Sequence, residues 1–111
     1  MSAAGEFVVV LVTAGSAEEA QRIGRALVTE QLAGCVNVVG PIRSIYRWQG
    51  AVEEAEERLL IIKARAADLA ALEARVRALH SYDVPEVLAL PVTAGSEDYL
   101  AWLAGATVRG G

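Results

Sequence analysis

Two long extended segments, joined at Gln49-Gly50, limit the folds that are open to this chain. The first contains CVNVV and IRSIYRW, separated by Gly40-Pro41, and the second is VEEAEERLLIIKA. Proline cannot donate a ladder hydrogen bond and glycine permits a bulge or bend, so Gly40-Pro41 predicts an interruption of one strand by a bulge or bend. A glycine after a polar residue is typical of a hairpin turn. The two segments therefore predict a long β-hairpin whose distal half is charged and projects past the domain.

Helical patterns lie on both sides of the predicted hairpin. Ser16 and Glu19 have the spacing of a capping box and predict a first helix over about 16–32. Asp68 is placed to cap a second helix. The apolar stripe of this second helix consists of Leu69, Leu72, Val76 and Leu79. Ser96 is placed to cap a short third helix, EDYLAWLAG.

Apolar strand patterns complete the order of elements. FVVVLVT near the N-terminus and VLALPV after the second helix predict strands, the latter at a sheet edge because of its proline. The order β-α-β-β-α-β with a terminal helix predicts an α+β, ferredoxin-like sandwich: a four-stranded antiparallel sheet with two helices on one face. We expect a single domain over 1–111 with an ordered core at about 6–105. The flanking MSAAGE and TVRGG predict mobile ends.

Composition indicates how the open face of such a sheet is covered. Apolar residues make up 54% of the 111 residues, which is high for a small domain and favours an obligate oligomer. The net charge of −4 and the lack of an aromatic RNA-binding pattern argue against a nucleic-acid partner. No apolar run is long enough for a membrane segment. A single cysteine and the absence of a signal-peptide pattern predict a cytoplasmic protein.

The residues with the greatest chemical potential leave alternatives open. No common catalytic signature is present, so we expect a protein that is not an enzyme. His80 follows the second helix, where it either hydrogen-bonds free carbonyls or contributes one ligand to a metal. Cys35 is either a buried, inert thiol or a reactive or metal-binding one.

Acidic and aromatic side chains raise the question of a binding cleft. The run EEAEE at 53–57 indicates a solvated hairpin arm more readily than a cation site. Glu86 opens an apolar strand, so it either pairs with Lys63 or lines a pocket. The aromatic residues predict core or interface packing, with an aromatic-lined cleft as the alternative. They are Tyr46, Trp48, Tyr82, Tyr99 and Trp102.

Four motifs in this order resemble the CutA family of divalent-cation tolerance proteins. They are CVN at 35–37, S-x-Y-x-W-x-G at 44–50, H-x-Y-x-V-P-E at 80–86 and G-x-x-x-Y-L-x-W at 95–102. The resemblance extends from about Val8 to Leu103. It implies a homotrimer of ferredoxin-like subunits that is similar to the trimer of PII signalling proteins. It also implies an intersubunit cleft, to which Tyr46, Trp48, Lys63, His80, Tyr82 and Glu86 belong.

The family resemblance allows each residue assigned to metal binding to be compared with the residue at the same position here. Copper has been assigned in some members to a cysteine of the first strand and two neighbouring histidines after the second helix. Val12 and Leu79 occupy two of these positions here, and His80 matches the third. The resemblance therefore implies His80 as the metal ligand, with Cys35 as a further possible one. No cofactor is required, and Cu(II) or another divalent cation is the expected metal.

Three functions follow from the resemblance. The first is a cytosolic trimer involved in tolerance of divalent metal ions, which binds copper weakly. The second is a PII-like regulator that holds a small anion or metabolite in its intersubunit clefts. The third is a structural trimer that tethers a partner.

Overall fold

A four-stranded antiparallel sheet and three helices form the structure, a computed structural model that describes residues 6–109. The strands are β1 (Phe7–Ala14), β2 (Cys35–Trp48), β3 (Ala51–Arg65) and β4 (Leu88–Pro91). The helices are α1 (Ala17–Thr29), α2 (Leu69–Leu79), which follows a short 3-10 turn at Ala66–Asp68, and α3 (Glu97–Ala106). The strand order is β2-β3-β1-β4, and each neighbouring pair is antiparallel. The predicted ferredoxin-like order with a terminal helix is confirmed.

The main core lies between one face of the sheet and the helices α1 and α2. Alternate residues of β1 point into it, from Val8 to Ala14, because successive side chains of a strand face opposite sides. Leu72 and Val76 of the predicted α2 stripe are fully buried there, and Leu69 and Leu79 pack at its edge. The buried apolar faces of the sheet and of α2 thus pack together in one cluster.

The opposite face of the sheet is covered only in part within a single chain. Phe7 packs there against Leu103 of α3. Beyond α3, the strand register places further apolar side chains on this face, since directly opposed residues share a face. We call this surface the open face, and it consists of Val9, Leu11, Leu59, Ile61, Leu88 and Leu90. Leu88 and Leu90 of β4 are 57% and 51% exposed.

The hairpin extends well past the sheet, as its sequence predicts. β1 pairs with β3 only from Arg58 to Arg65, so residues 42–48 and 51–57 form a free two-stranded arm. The register shifts between Val39 and Ile42, where Gly40-Pro41 predicts a bulge or bend. Both turn residues adopt positive φ, 51° at Gln49 and 83° at Gly50, which matches the twist of a tight hairpin.

Helix α1 ends three residues earlier than the predicted boundary at residue 32. Gln31 adopts a left-handed φ of 60°, and its N–H donates to the carbonyl of Val28 at 3.1 Å. The N–H of Leu32 donates to the carbonyl of Leu27 at 2.9 Å. This pair of bonds is a Schellman ending, for which a glycine is the usual signal.

The C-terminal segment is packed where the sequence predicts a mobile tail. Thr107 is buried, and its hydroxyl accepts a hydrogen bond from Nε of Arg65 at 2.9 Å. Nη2 of Arg109 donates to Oδ1 of Asp68 at 2.9 Å. The mobile-tail prediction is therefore wrong for these residues, and so is the side-chain cap by Asp68, which makes no hydrogen bond to α2. Residues 1–5 and 110–111 lie outside the described part of the chain.

Candidate functional site

The side chain of His80 is fully buried at the end of α2, with both ring nitrogens engaged. Nε2 lies 2.7 Å from the backbone carbonyl of Thr13, and Nδ1 lies 3.0 Å from the backbone N–H of Tyr82. A carbonyl only accepts and an N–H only donates, so these partners assign the proton to Nε2 and the lone pair to Nδ1. This geometry fits the first of the two roles predicted for His80, in which its ring hydrogen-bonds free backbone groups.

Glu19 reaches from the first turn of α1 to the residue after His80. Its carboxylate accepts hydrogen bonds from the N–H of Ser81 at 2.7 Å and from Oγ of Ser81 at 3.0 Å. The predicted capping box is thus half correct: Oγ of Ser16 accepts from the N–H of Glu19 at 3.1 Å, but the glutamate side chain bonds elsewhere. Burial opposes ionisation of Glu19, yet the two bonds from Ser81, together with the nearby His80 and Arg22, lower the pKa of this carboxyl.

We expect Glu19→Gln to change the acid limb of the stability curve. The pKa of Glu19 is lowered below its ordinary value of 4.5 in the folded state. Its ionised form therefore stabilises the fold above about pH 4.5, and that contribution is lost as the pH falls through the folded pKa. Denaturant unfolding should place Glu19→Gln about 1 kcal/mol below the parent at pH 7, with the gap closing toward pH 3.

The neighbouring Glu18 offers a matched control for this prediction. Glu18 lies beside Glu19 in the same helical turn but is exposed. Glu18→Gln removes the same charge and should leave the unfolding free energy within about 0.5 kcal/mol of the parent at every pH. A gap for Glu19→Gln that stays constant from pH 7 to pH 3 would contradict the role assigned to the carboxylate.

Tyr82 connects the buried histidine to the base of the arm. Its ring lies 4.6 Å from the His80 ring, measured between centroids. Its hydroxyl donates to Oε2 of Glu57 at 2.7 Å. Burial, and then the hydrogen bond to Glu57, raise the pKa of the Tyr82 phenol. The phenol is therefore held as a neutral hydrogen-bond donor at the wall of an adjoining space.

That space is a cavity of about 800 Å³ between the arm and the 82–86 loop. Four of the six residues predicted for a cleft line it: Tyr46, Trp48, Tyr82 and Glu86. The other lining residues are Thr13, Ser44, Ile45, Glu53, Glu57, Asp83, Val84 and Pro85. A cavity with three aromatic residues in its lining is therefore present within a single chain. His80 lies outside the lining and contacts it through Tyr82.

Lys63 occupies a different part of the sheet. Its ammonium donates to Oδ1 of Asn37, so the alternative in which it pairs with Glu86 is wrong. Lys63 lies six positions after Glu57 on β3, about 20 Å at the rise of a strand. Within one chain, then, the predicted cleft lacks its basic residue.

Cys35 is also remote from His80. It lies opposite Lys63, which in turn lies opposite Val9 of β1. The backbone carbonyl that binds His80 belongs to Thr13, about 13 Å further along the same strand. The thiol is free and partly buried, and it does not join the imidazole in one site. Within residues 6–109, no three side chains of His, Cys, Asp or Glu come together as metal ligands would.

The acidic run 53–57 divides between two roles. Glu54 and Glu56 are exposed and form ion pairs with Arg43 and Arg58, as a solvated arm predicts. Glu57 is buried and Glu53 lines the cavity, which sequence reasoning missed. The available signal was the period of two, since Glu53 and Glu57 share a strand face with each other and not with Glu54 or Glu56.

The family model described as "CutA1 divalent ion tolerance protein" matches residues 8–106 of this chain. The chain is 52% identical over 95 residues to the "Divalent-cation tolerance protein CutA" of Thermus thermophilus, covering 86% of this chain and 92% of that protein. It is 48% identical over 100 residues to the "Protein CutA, chloroplastic" of Arabidopsis thaliana, covering 90% of this chain. The chain spans about half the length of this plant relative, 55%.

Solved structures agree with the sequence comparison. The divalent cation tolerance protein (Cut A1) of Thermus thermophilus superposes with a TM-score of 0.90 at 49% identity, covering 92% of this chain and 99% of that one. CutA1 from Oryza sativa superposes with a TM-score of 0.92 at 44% identity, covering 96% and 97% of the two chains. A structure from Archaeoglobus fulgidus, described as a periplasmic divalent cation tolerance protein, superposes with a TM-score of 0.90 at 36% identity, covering 92% and 99% of the two chains.

Among residues 6–109, none of the helices combines the length and apolar character needed to cross a bilayer.

Proposed function

We propose that this chain, which belongs to the CutA1 divalent ion tolerance protein family, acts as a non-enzymatic homotrimer in the cytoplasmic response to divalent metal ions. The names of its relatives support the metal response. The open face supports the trimer, because a small domain that leaves such an apolar sheet surface uncovered gains stability from a second copy. This exposed apolar surface is the observation that carries the proposal.

Copper binding by this trimer is weak in our proposal. A metal at His80 needs a lone pair, and the partners of the ring leave only the one at Nδ1, which the N–H of Tyr82 already uses. Val12, at the position of the family's cysteine, is fully buried and offers no ligand. Leu79 is equally without a donor atom. Cu(II) therefore gains one imidazole at most, and only by breaking a bond that orders the 80–82 segment.

Titration of Cu(II) into the purified protein tests this part of the proposal. We expect the parent to bind Cu(II) with a dissociation constant on the order of 0.1 mM or weaker. Calorimetry measures this binding on protein whose oligomeric state is known from light scattering. His80→Ala should lose even this weak binding, whereas Cys35→Ser serves as the control and should retain it. Tight, saturable binding of one Cu(II) per subunit, lost in His80→Ala, would overturn the proposal of weak binding.

The cavity favours a second candidate function, a PII-like regulator that binds a small ligand. Its volume of about 800 Å³ is in the range of small-molecule sites. Several of its lining residues, including Tyr46, Trp48 and Glu53, lie on the same side of the sheet and arm as the open face, so a cleft beside a subunit interface is the expected setting. A screen of small molecules by thermal shift tests this candidate, and stabilisation of the trimer is the expected result.

A further inference from the structure

The charged side chains that line the cavity are all acidic. They are Glu53, Glu57, Asp83 and Glu86. An anion at this position would face four carboxylates at short range, which disfavours it by Coulomb repulsion. The predicted small anion therefore does not fit the lining that a single chain provides.

Aromatic rings supply the rest of the binding chemistry. Trp48 is 50% exposed, and Tyr46 and Tyr82 stand beside it in the same lining. Aromatic faces attract cations that carry little hydration, such as organic ammonium groups, through the ring quadrupole. They also bury the apolar body of such a ligand. The aromatic rings and the carboxylates that line this cavity thus favour the same class of ligand, an organic cation.

Glu57 provides an anchor for a positive charge. It is only 7% exposed, yet it lies at the cavity wall. Its Oε2 accepts the hydrogen bond from the Tyr82 hydroxyl, so the carboxylate is held in place at that wall. A carboxylate on a mostly buried side chain has lost part of its hydration, so a cationic donor that enters the cavity gains a charge-assisted hydrogen bond there.

We propose that this cavity binds an organic ammonium ion, whose charge pairs with Glu57 and whose apolar body lies against Trp48, Tyr46 and Tyr82. The inference deepens the second candidate function, a ligand-binding regulator, and rests on it. It is independent of copper binding and of the trimer, which are measured separately by calorimetry and light scattering.

Three molecules of one shape and different charge test the ligand class. Benzylamine is a cation at pH 7, benzyl alcohol is neutral, and benzoate is an anion. The chain has two tryptophans, and Trp102 lies on α3 outside the cavity lining. In a Trp102→Phe background the fluorescence reports Trp48 alone. We expect saturable quenching by benzylamine, with an affinity at least about fivefold above that for benzyl alcohol and no binding of benzoate.

A matched pair of variants tests the anchor. Glu57→Gln keeps an acceptor for the Tyr82 hydroxyl but removes the charge, and should weaken benzylamine about fivefold or more. Glu56→Gln removes the same charge from the opposite, exposed face of the strand and should change the affinity less than twofold. Light scattering on each variant confirms that the oligomeric state is unchanged.

The other outcomes each have a definite meaning. Equal binding of benzylamine and benzyl alcohol would overturn the charge argument while leaving a ligand cavity. Binding of benzoate but not benzylamine would overturn the proposed class and favour an anion site. Absence of quenching by all three molecules in a protein that is still a trimer would overturn the organic-cation inference and leave the metal-response proposal in place.

Discussion

Leu90→Asp is expected to convert the proposed trimer into single chains. Leu90 lies on the edge strand β4 opposite Val9, within the open face, and is half exposed in one chain. An unpaired carboxylate buried in an apolar interface costs several kcal/mol, and the symmetry of a trimer repeats that cost in each of the three interfaces. Light scattering should give about 35 kDa for the parent, three times 11.7 kDa, and close to 11.7 kDa for the variant.

Ala71→Asp serves as the matched control for this interface variant. Ala71 is exposed on α2, which packs on the other side of the sheet, so the same added charge there stays in water. Its molar mass should equal that of the parent. A Leu90→Asp protein that remains a trimer would show that the open face is not the subunit interface. A parent protein that is already a single chain would contradict the homotrimer itself.

The elements of the fold were predictable because each depends on local patterns. The spacing of Leu69, Leu72 and Val76 identifies the buried face of α2 without knowledge of its partner. The continuous apolar run of β1 predicts a strand that is covered on both faces. Only its helix-facing side is fully covered in one chain, so this run also carried the signal for an oligomer.

The site was less predictable because its contacts join residues far apart in the chain. Glu19 and Ser81 are 62 positions apart, and the local capping-box pattern assigned the glutamate to a nearer partner. Lys63 was paired with the wrong residue because strand register, which no local pattern specifies, places it beside Asn37.

Two boundary errors have a physical origin in the ends of the elements. Gln31 takes the left-handed conformation that normally selects glycine, so the end of α1 carried no signal in the sequence. The tail beginning at Thr107 looked polar and short, but Arg65 and Asp68 hold it from other elements. Local backbone hydrogen bonds thus hold Gln31 in its conformation, whereas tertiary contacts hold the tail.

His80→Ala is expected to lower the free energy of unfolding by about 3 kcal/mol. The substitution leaves the part-buried carbonyl of Thr13 without its partner, at about 1–3 kcal/mol, and also removes the acceptor of the more exposed N–H of Tyr82. It also opens a space where a fully buried ring stood. Denaturant unfolding, followed at constant oligomeric state, measures the loss.

His80→Gln separates hydrogen bonding from packing in this prediction. The amide of glutamine reaches the position of Nε2 and can donate to Thr13, but it leaves the N–H of Tyr82 without an acceptor. Its stability should therefore fall between those of the parent and the alanine variant. Equal stability of all three proteins would contradict a structural role for the imidazole. The N–H of Tyr82 and a metal ion compete for the lone pair of His80 Nδ1. A large loss of stability in His80→Ala therefore also argues that the fold keeps this lone pair from Cu(II).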